Sequence, residues 1–382
     1  MKLLFTGDIH FRGLEPLDMP KCEKIIKEVK PYLEKADFNV VNLETPLANE
    51  EKYTPIYKSG PNLISLPEDV IFLKALGVHV ATLANNHTGD FGQGAVKNTL
   101  EVLDKNSILY CGAGKDVNQA YNACRLRKDG VSASLISVCE NEFGTATEDA
   151  YGSAGYNARL LLNKIKQEKK ESDYVVVIFH GGNEYYPLPS PDTQDRYRLI
   201  CDMGADAVVA GHTHCPQGYE VYDGKPIIYS MGNFLFNSDP DWDVLDSWYY
   251  GYMVELDADK SGIGFRLIPC KLDREEGKIH VFEGADRDKM LEYIDSLSEI
   301  IKDRVLLDNY FNGWAYLHRW VPKEPDSYED LRDYNSAENY NALSCEAHNS
   351  LAKRVLRLCF LDSMEESKEW AERIETLSKM PL

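Results

Sequence analysis

The chain has 382 residues, 43% hydrophobic and 27% charged, with a formal net charge of −20 at pH 7. That length suits one large domain plus a smaller one, and the negative charge argues against nucleic acid, whose phosphates it would repel, and against any long polyanion. No apolar run approaches the roughly 18 residues of a membrane span. Lys2-Leu3-Leu4-Phe5 opens a strand where a secretory signal would need a longer apolar stretch. Nine cysteines without a C-x-x-C pair read as reduced thiols, and the expected location is the cytoplasm.

In chain order, strand-like runs at residues 3–6, 38–41, 78–83, 174–179 and 207–210 alternate with helical patterns. Those helices are expected over residues 22–35, 68–76, 92–106, 154–170 and 193–203. This β-α alternation predicts an α/β sheet with helices packed on it. From about residue 218 to 280 the pattern turns to hairpins, with Tyr222-Asp223-Gly224-Lys225 as a turn. Strands at 226–229, 253–256, 264–267 and 278–281 look antiparallel. Beyond about residue 284 the chain is helical and acidic, with apolar spacing at 290–301, 351–361 and, more weakly, 365–377, and a loop at 321–326. We expect a domain over 1–285 and a helical extension or small domain over 286–382.

Five polar clusters stand at strand ends: Asp8-Ile9-His10, Asn42-Leu43-Glu44, Asn85-Asn86-His87, His180-Gly181-Gly182 and Gly211-His212-Thr213-His214. Open α/β sheets bind ligands at the carboxyl ends of their strands, so separate strands would deliver these groups to one rim. The two carboxylates of Asp8 and Glu44, the imidazoles of His10, His180, His212 and His214, and the Asn86 amide suit two divalent metals about 3.5–4 Å apart. Cys215 follows His214 and reads as a half-buried small residue in preference to a soft ligand. His79 lies mid-strand and reads as structural, while His280, His318 and His348 have no partner in the pattern.

The order of these clusters resembles that of the calcineurin-like binuclear metallophosphoesterases, and within them the CapA-type poly-γ-glutamate capsule synthesis proteins. The residues that carry it include Gly7-Asp8, Asn42-Leu43-Glu44-Thr45-Pro46-Leu47 and Asn85-Asn86-His87-Thr88-Gly89-Asp90-Phe91-Gly92. Further on come His180-Gly181-Gly182-Asn183-Glu184-Tyr185, Gly211-His212-Thr213-His214 and Ser230-Met231-Gly232-Asn233-Phe234. They span residues 1 to about 240. Glu44 stands where the wider superfamily bridges its metals with aspartate, and Thr88 follows His87, both as in the capsule branch. Members of that branch often carry an N-terminal membrane anchor, for which this sequence has no apolar run.

The resemblance implies a four-layer α-β-β-α sandwich with a helical C-terminal extension. It also implies two manganese, iron or zinc ions: Asp8, His10 and His214 would hold one, Asn86, His180 and His212 the other, and Glu44 would bridge them. A hydroxide between the ions would be the nucleophile. His87 is the general-acid candidate, expected to donate near pH 7. Asp90 either orients His87 or caps the helix that begins near Gly92. Lys58, Asn183 and Glu184 are candidates for the substrate pocket, Lys58 for anion contact. Three functions remain open: a hydrolase of a small phosphate ester or diester, an enzyme or partner acting on glutamyl chains, and a metal-dependent binding module. The oligomeric state is open as well.

Overall fold

The computed structural model describes residues 1–11, 13–14, 16–237, 244–319 and 335–382. The loop expected at 321–326 lies outside the described residues. Strands in chain order are β1 (Lys2–His10), β2 (Phe38–Leu43), β3 (Val78–Thr82), β4 (Leu109–Cys111), β5 (Ala113–Gly114), β6 (Cys124–Lys128), β7 (Val131–Cys139) and β8 (Gly152–Ser153). They continue with β9 (Tyr174–His180), β10 (Ala207–Gly211), β11 (Tyr219–Tyr222), β12 (Lys225–Ile228), β13 (Asn233–Phe236), β14 (Tyr250–Asp259), β15 (Gly262–Asp273) and β16 (Lys278–Val281).

Two mixed sheets result. The first has the order β16-β15-β14-β1-β2-β3-β4, with β13 also on β1; the second runs β11-β12-β10-β9-β7-β6. A side-chain cluster that includes Leu3, Phe5, Val40 and Val80 from the first sheet and Leu126, Val176 and Val209 from the second fills the space between them. The opposite faces are also apolar, as expected of parallel strands buried on both sides. Val41 and Ala81 pack outward with Ile25, Phe72 and Leu103, while Val177 and Val208 pack outward with Leu161, Tyr197 and Leu297. The layers are therefore helix, sheet, sheet, helix.

The helices follow their local signals. In the first half they are α1 (Met19–Ile25), α2 (Lys30–Leu33), α3 (Val70–Ala75), α4 (Gly92–Lys105) and α5 (Val117–Ala120). The helix expected over 22–35 is broken at residues 26–29, ahead of Pro31 in the first turn of α2, which has no N–H to give and whose ring would clash with the carbonyl four residues back in a continuous helix. Next come α6 (Ala158–Glu168) and α7 (Pro191–Asp202). The former starts later than the expected 154, because Ala154 N–H donates to Gly112 O and Tyr156 N–H to Cys139 O. Asn157 then caps the helix through Arg159 N–H and Leu160 N–H. The hairpin of β6 and β7 was not anticipated. Its turn is Asp129-Gly130, both at positive φ, the dipeptide that favours a two-residue hairpin.

The C-terminal helices are α8 (Gly284–Lys302), α9 (Arg304–Leu317), α10 (Asn335–Ser344), α11 (Glu346–Phe360) and α12 (Lys368–Leu377). Leu297, Ile301, Leu307, Phe311, Leu351 and Ile374 share one apolar cluster with the second sheet. The segment is thus part of that sheet's outer layer. Among the described residues, no helix is long and apolar enough to cross a membrane.

Candidate metal centre

β1, β2 and β3 run parallel, as do β7, β9, β10 and β12, so both sheets present carboxyl ends at one rim. Asp8 joins the two: Asn42 Nδ2 donates to its Oδ1 at 2.7 Å and the His212 backbone N–H to its Oδ2 at 3.0 Å. A Cβ on Gly211 would lie 2.7 Å from Asp8 Oδ1, so the approach requires glycine there. His212 and His214 sit at φ of 99° and 54°, a left-handed backbone that non-glycine residues adopt at a cost.

Six of the seven expected ligands converge tightly. His180 Nε2 lies 3.0 Å from Asn86 Oδ1, 3.1 Å from His212 Nδ1 and 3.4 Å from Glu44 Oε1. His214 Nε2 lies 3.8 Å from the same Glu44 oxygen. Ligand atoms of Glu44, His180 and His212 fall within 4.8 Å of one another, and so do those of Asp8, Glu44 and His214. The two groups share Glu44. His10 belongs to neither group; it is buried at the same strand end with its ring 5.2 Å from that of Phe236.

The electrostatics fit cations. Both Glu44 oxygens are buried and accept no hydrogen bond, an expensive arrangement unless a positive charge completes it. Burial, then Glu184 and Glu142, pushes the Glu44 carboxyl well above the usual range. Burial, then Glu44, pushes Asp8 to about 7. Burial holds His180, His212 and His214 neutral, the last at about 3, and neutral imidazole is the ligand form. Nitrogen and oxygen ligands about 2.1 Å from one ion stand roughly 3.0–3.4 Å apart, the spacing found around His180 Nε2. The His214 Nδ1 lies 2.9 Å from Asn233 Oδ1, an outer contact of the kind that fixes a ligating ring.

Asp90 caps nothing. Phe91 is the residue before α4 and has no side-chain cap, which rules out the capping alternative. Asp90 Oδ2 instead lies 2.7 Å from His87 Nδ1 and accepts from Leu63 N–H at 2.6 Å, while its Oδ1 takes Lys58 Nζ at 2.6 Å. Lys58, expected to contact an anion, pairs here with Asp90, its Nζ also 3.2 Å from His87 Nδ1. Burial and Lys58 hold His87 down to about 4 against the pull of Asp90. The expected donation near pH 7 therefore starts from a resting imidazole that burial keeps neutral.

Glu184 lines a cavity of about 220 Å³ with His87, His214, Leu63, Tyr185, Phe236 and Trp248. Asn183 is not among that lining; its Nδ2 donates to Ala347 O at 3.5 Å. Cys215 donates to Tyr186 O, outside both ligand groups. His280 pairs with Glu28.

Sequence reasoning missed the contribution of two further segments. After β7, Glu140 receives Arg196 and Cys345, and Glu142 Oε1 stands 3.8 Å from His212 Nε2. From the C-terminal helices, Asn341 donates to Glu142 Oε2 at 3.1 Å and Glu346 accepts from Asn141 at 2.7 and 2.9 Å. His348 is near enough to act electrostatically on Glu184 and His212. No spacing signal announces these residues.

The family model described as bacterial capsule synthesis protein PGA_cap matches residues 2–238. The PGA biosynthesis protein CapA of Bacillus subtilis (strain 168) is 30% identical over 275 residues, 70% of each chain. The capsule biosynthesis protein CapA of Bacillus anthracis is 32% identical over 221 residues, covering 56% of this chain and 54% of that protein; the chain spans about half the length of that relative. A solved structure titled a novel phosphatase, from Mycoplasma pneumoniae, aligns over 72% of this chain and 95% of its own, with TM-score 0.46 and 16% identity. A likeness of that degree adds nothing to the layer order read from the sheets.

Proposed function

Since this chain belongs to the bacterial capsule synthesis protein family PGA_cap, we propose that its rim is a two-metal hydrolytic centre acting on a phosphate ester or diester. The carrying observation is Glu44, whose two buried oxygens accept no hydrogen bond and stand between two ligand groups. In this reading Asp8 and His214 hold one ion with His10 beside them, and Asn86, His180 and His212 hold the other. Two bound divalent cations, manganese, iron or zinc, supply an activated water and polarise the scissile centre.

The chain's own residues do the rest. Asp90 fixes His87 through Nδ1, leaving Nε2 toward the cavity and 4.0 Å from Glu44. Being neutral, His87 accepts at Nε2 the proton released as water adds, then hands it to the leaving oxygen. Lys58 pairs with Asp90 at 2.6 Å, and Phe236 and Trp248 give the cavity an aromatic wall. A second reading, hydrolysis or handling of a glutamyl amide, draws on the relative named for PGA biosynthesis.

His87→Asn tests the assignment. Metal content should stay near wild type while turnover of alkyl phosphate esters falls about 10²–10⁴-fold, and nitrophenyl esters, which need little protonation, lose much less. Loss of metal would make His87 a ligand, unchanged turnover would remove His87 from the catalytic machinery, and a metal-loaded wild type without turnover of any ester would leave a metal-dependent binding module as the better account.

A further inference from the structure

Two divalent ions would bring four positive charges to this rim, and the ligand carboxylates Asp8 and Glu44 meet only half of them. Lys58 adds nothing to the balance, being paired with Asp90 at 2.6 Å. Two more carboxylates stand close by without belonging to either ligand group. Glu184 faces the cavity that His87 and His214 also line. Glu142 is held with Oε1 3.8 Å from His212 Nε2 while Asn341, from the other end of the chain, donates to its Oε2. Asn341 also donates to Ser59 at 3.2 Å, so the carboxylate is fixed between three segments and is not a swinging surface group. The repulsion among these groups is plain: Glu184 and Glu142 both push up Glu44, and Glu142 pushes up Glu184.

With both ions bound, Asp8, Glu44, Glu142 and Glu184 match the added positive charge one for one. Such a centre gives no net attraction to a substrate's second negative charge, and Glu184 opposes it from the cavity wall and Glu142 from beside His212. We propose that Glu142 and Glu184 are specificity-determining residues that turn the centre away from phosphomonoester dianions. They direct it toward a reacting group with at most one negative charge, a phosphodiester or a carboxamide. This rests on the two-metal reading above and names the substrate class of that site. At an effective dielectric near 20, one unit charge about 8–10 Å from another changes affinity by roughly tenfold or more.

The test uses the full, metal-loaded chain at pH 8. Calorimetry compares inorganic phosphate, a dianion there, with dimethyl phosphate, a monoanion. Turnover is compared for nitrophenyl phosphate, methyl nitrophenyl phosphate and a glutamyl anilide, the last two separating diester from amide. Wild type should favour the singly charged or neutral member of each set. Glu184→Gln and Glu142→Gln should each raise the phosphate to dimethyl phosphate affinity ratio about tenfold. A wild type that prefers the dianion, or a ratio unmoved in both variants, overturns the inference. Selectivity in binding without turnover of any substrate sinks the hydrolase reading and leaves this one standing. If Glu142→Gln sheds metal, Glu142 acts as a support for His212, and Glu184→Gln alone decides. A chain that takes up no metal removes the premise and the inference with it.

Discussion

Glu44 and Glu168 are both buried glutamates, 0% and 1% exposed, and they sit in opposite surroundings. Glu168, in α6, receives Arg125 at 2.7 and 3.1 Å, Ser134 at 2.8 Å and Lys164 at 3.2 Å. Burial alone would push its carboxyl up; these partners more than reverse that and hold it at about 2. Glu44 has neutral imidazoles and other carboxylates for neighbours and is pushed the other way. Burial is common to the two, so burial does not mark a site. The difference is that the chain supplies the positive charge for Glu168 and leaves Glu44 to be completed from outside.

Substitution separates the two cases most strongly. Glu44→Gln should abolish binding of one or both ions, read by elemental analysis, yet leave the metal-free protein as stable as wild type or more so in urea. Glu168→Gln should keep metal and lose about 1–3 kcal/mol, since it leaves a half-exposed Arg125 without its buried partner. Equal losses in both variants would make Glu44 a structural carboxylate and erase the contrast.

A smaller effect is expected at the outer contacts. Asn233→Ala removes the acceptor beside His214 Nδ1 and should weaken one ion by about 10–100-fold, measured by chelator competition, with the other ion unaffected. Equal weakening of both would mean that Asn233 supports the fold of the rim and not one ring.

The mildest test is pH. Asp8 titrates near 7 in the folded metal-free chain and near 3.9 when unfolded. Between those values the folded state binds the extra proton, so this group lowers metal-free stability as pH rises through the window. Metal requires the deprotonated form, so affinity should fall about tenfold per unit as pH drops below about 7. A flat metal affinity from pH 5 to 8 would take Asp8 out of the ligand set.

The strand-end clusters were legible because each is local: a run such as Val175-Val176-Val177-Ile178-Phe179 announces a strand, and the next residue lies at its end. The β-α alternation announced an α/β sheet with helices on it, while the four-layer order came from the family resemblance. Positions were harder where a single residue overrules a periodic pattern, as Pro31 does at the start of α2, or where backbone pairing delays a helix, as at Ala154–Tyr156. Glu142, Asn341 and His348 could not be read, nor could the pairing of the named candidate Lys58 with Asp90, since these roles depend on contacts between distant segments, 199 residues apart for Asn341 and Glu142. The downward push on His87 was hidden for the same reason: it comes from burial first and then from Lys58, 29 residues away in sequence and 3.2 Å from the ring.

The position of β1 bears on how the protein comes into being. One edge of β1 pairs with β2, and the other pairs with β14 at Lys2–Phe5 and with β13 at Asp8–His10. A growing chain makes β1 first and its second neighbour some 250 residues later. At about 5–20 residues per second, that apolar strand waits on the order of 10–50 seconds with one edge open, the condition in which strands pair with the wrong chain. Asp8 is among the first site residues to leave the ribosome, and the rim it anchors is among the last features to close.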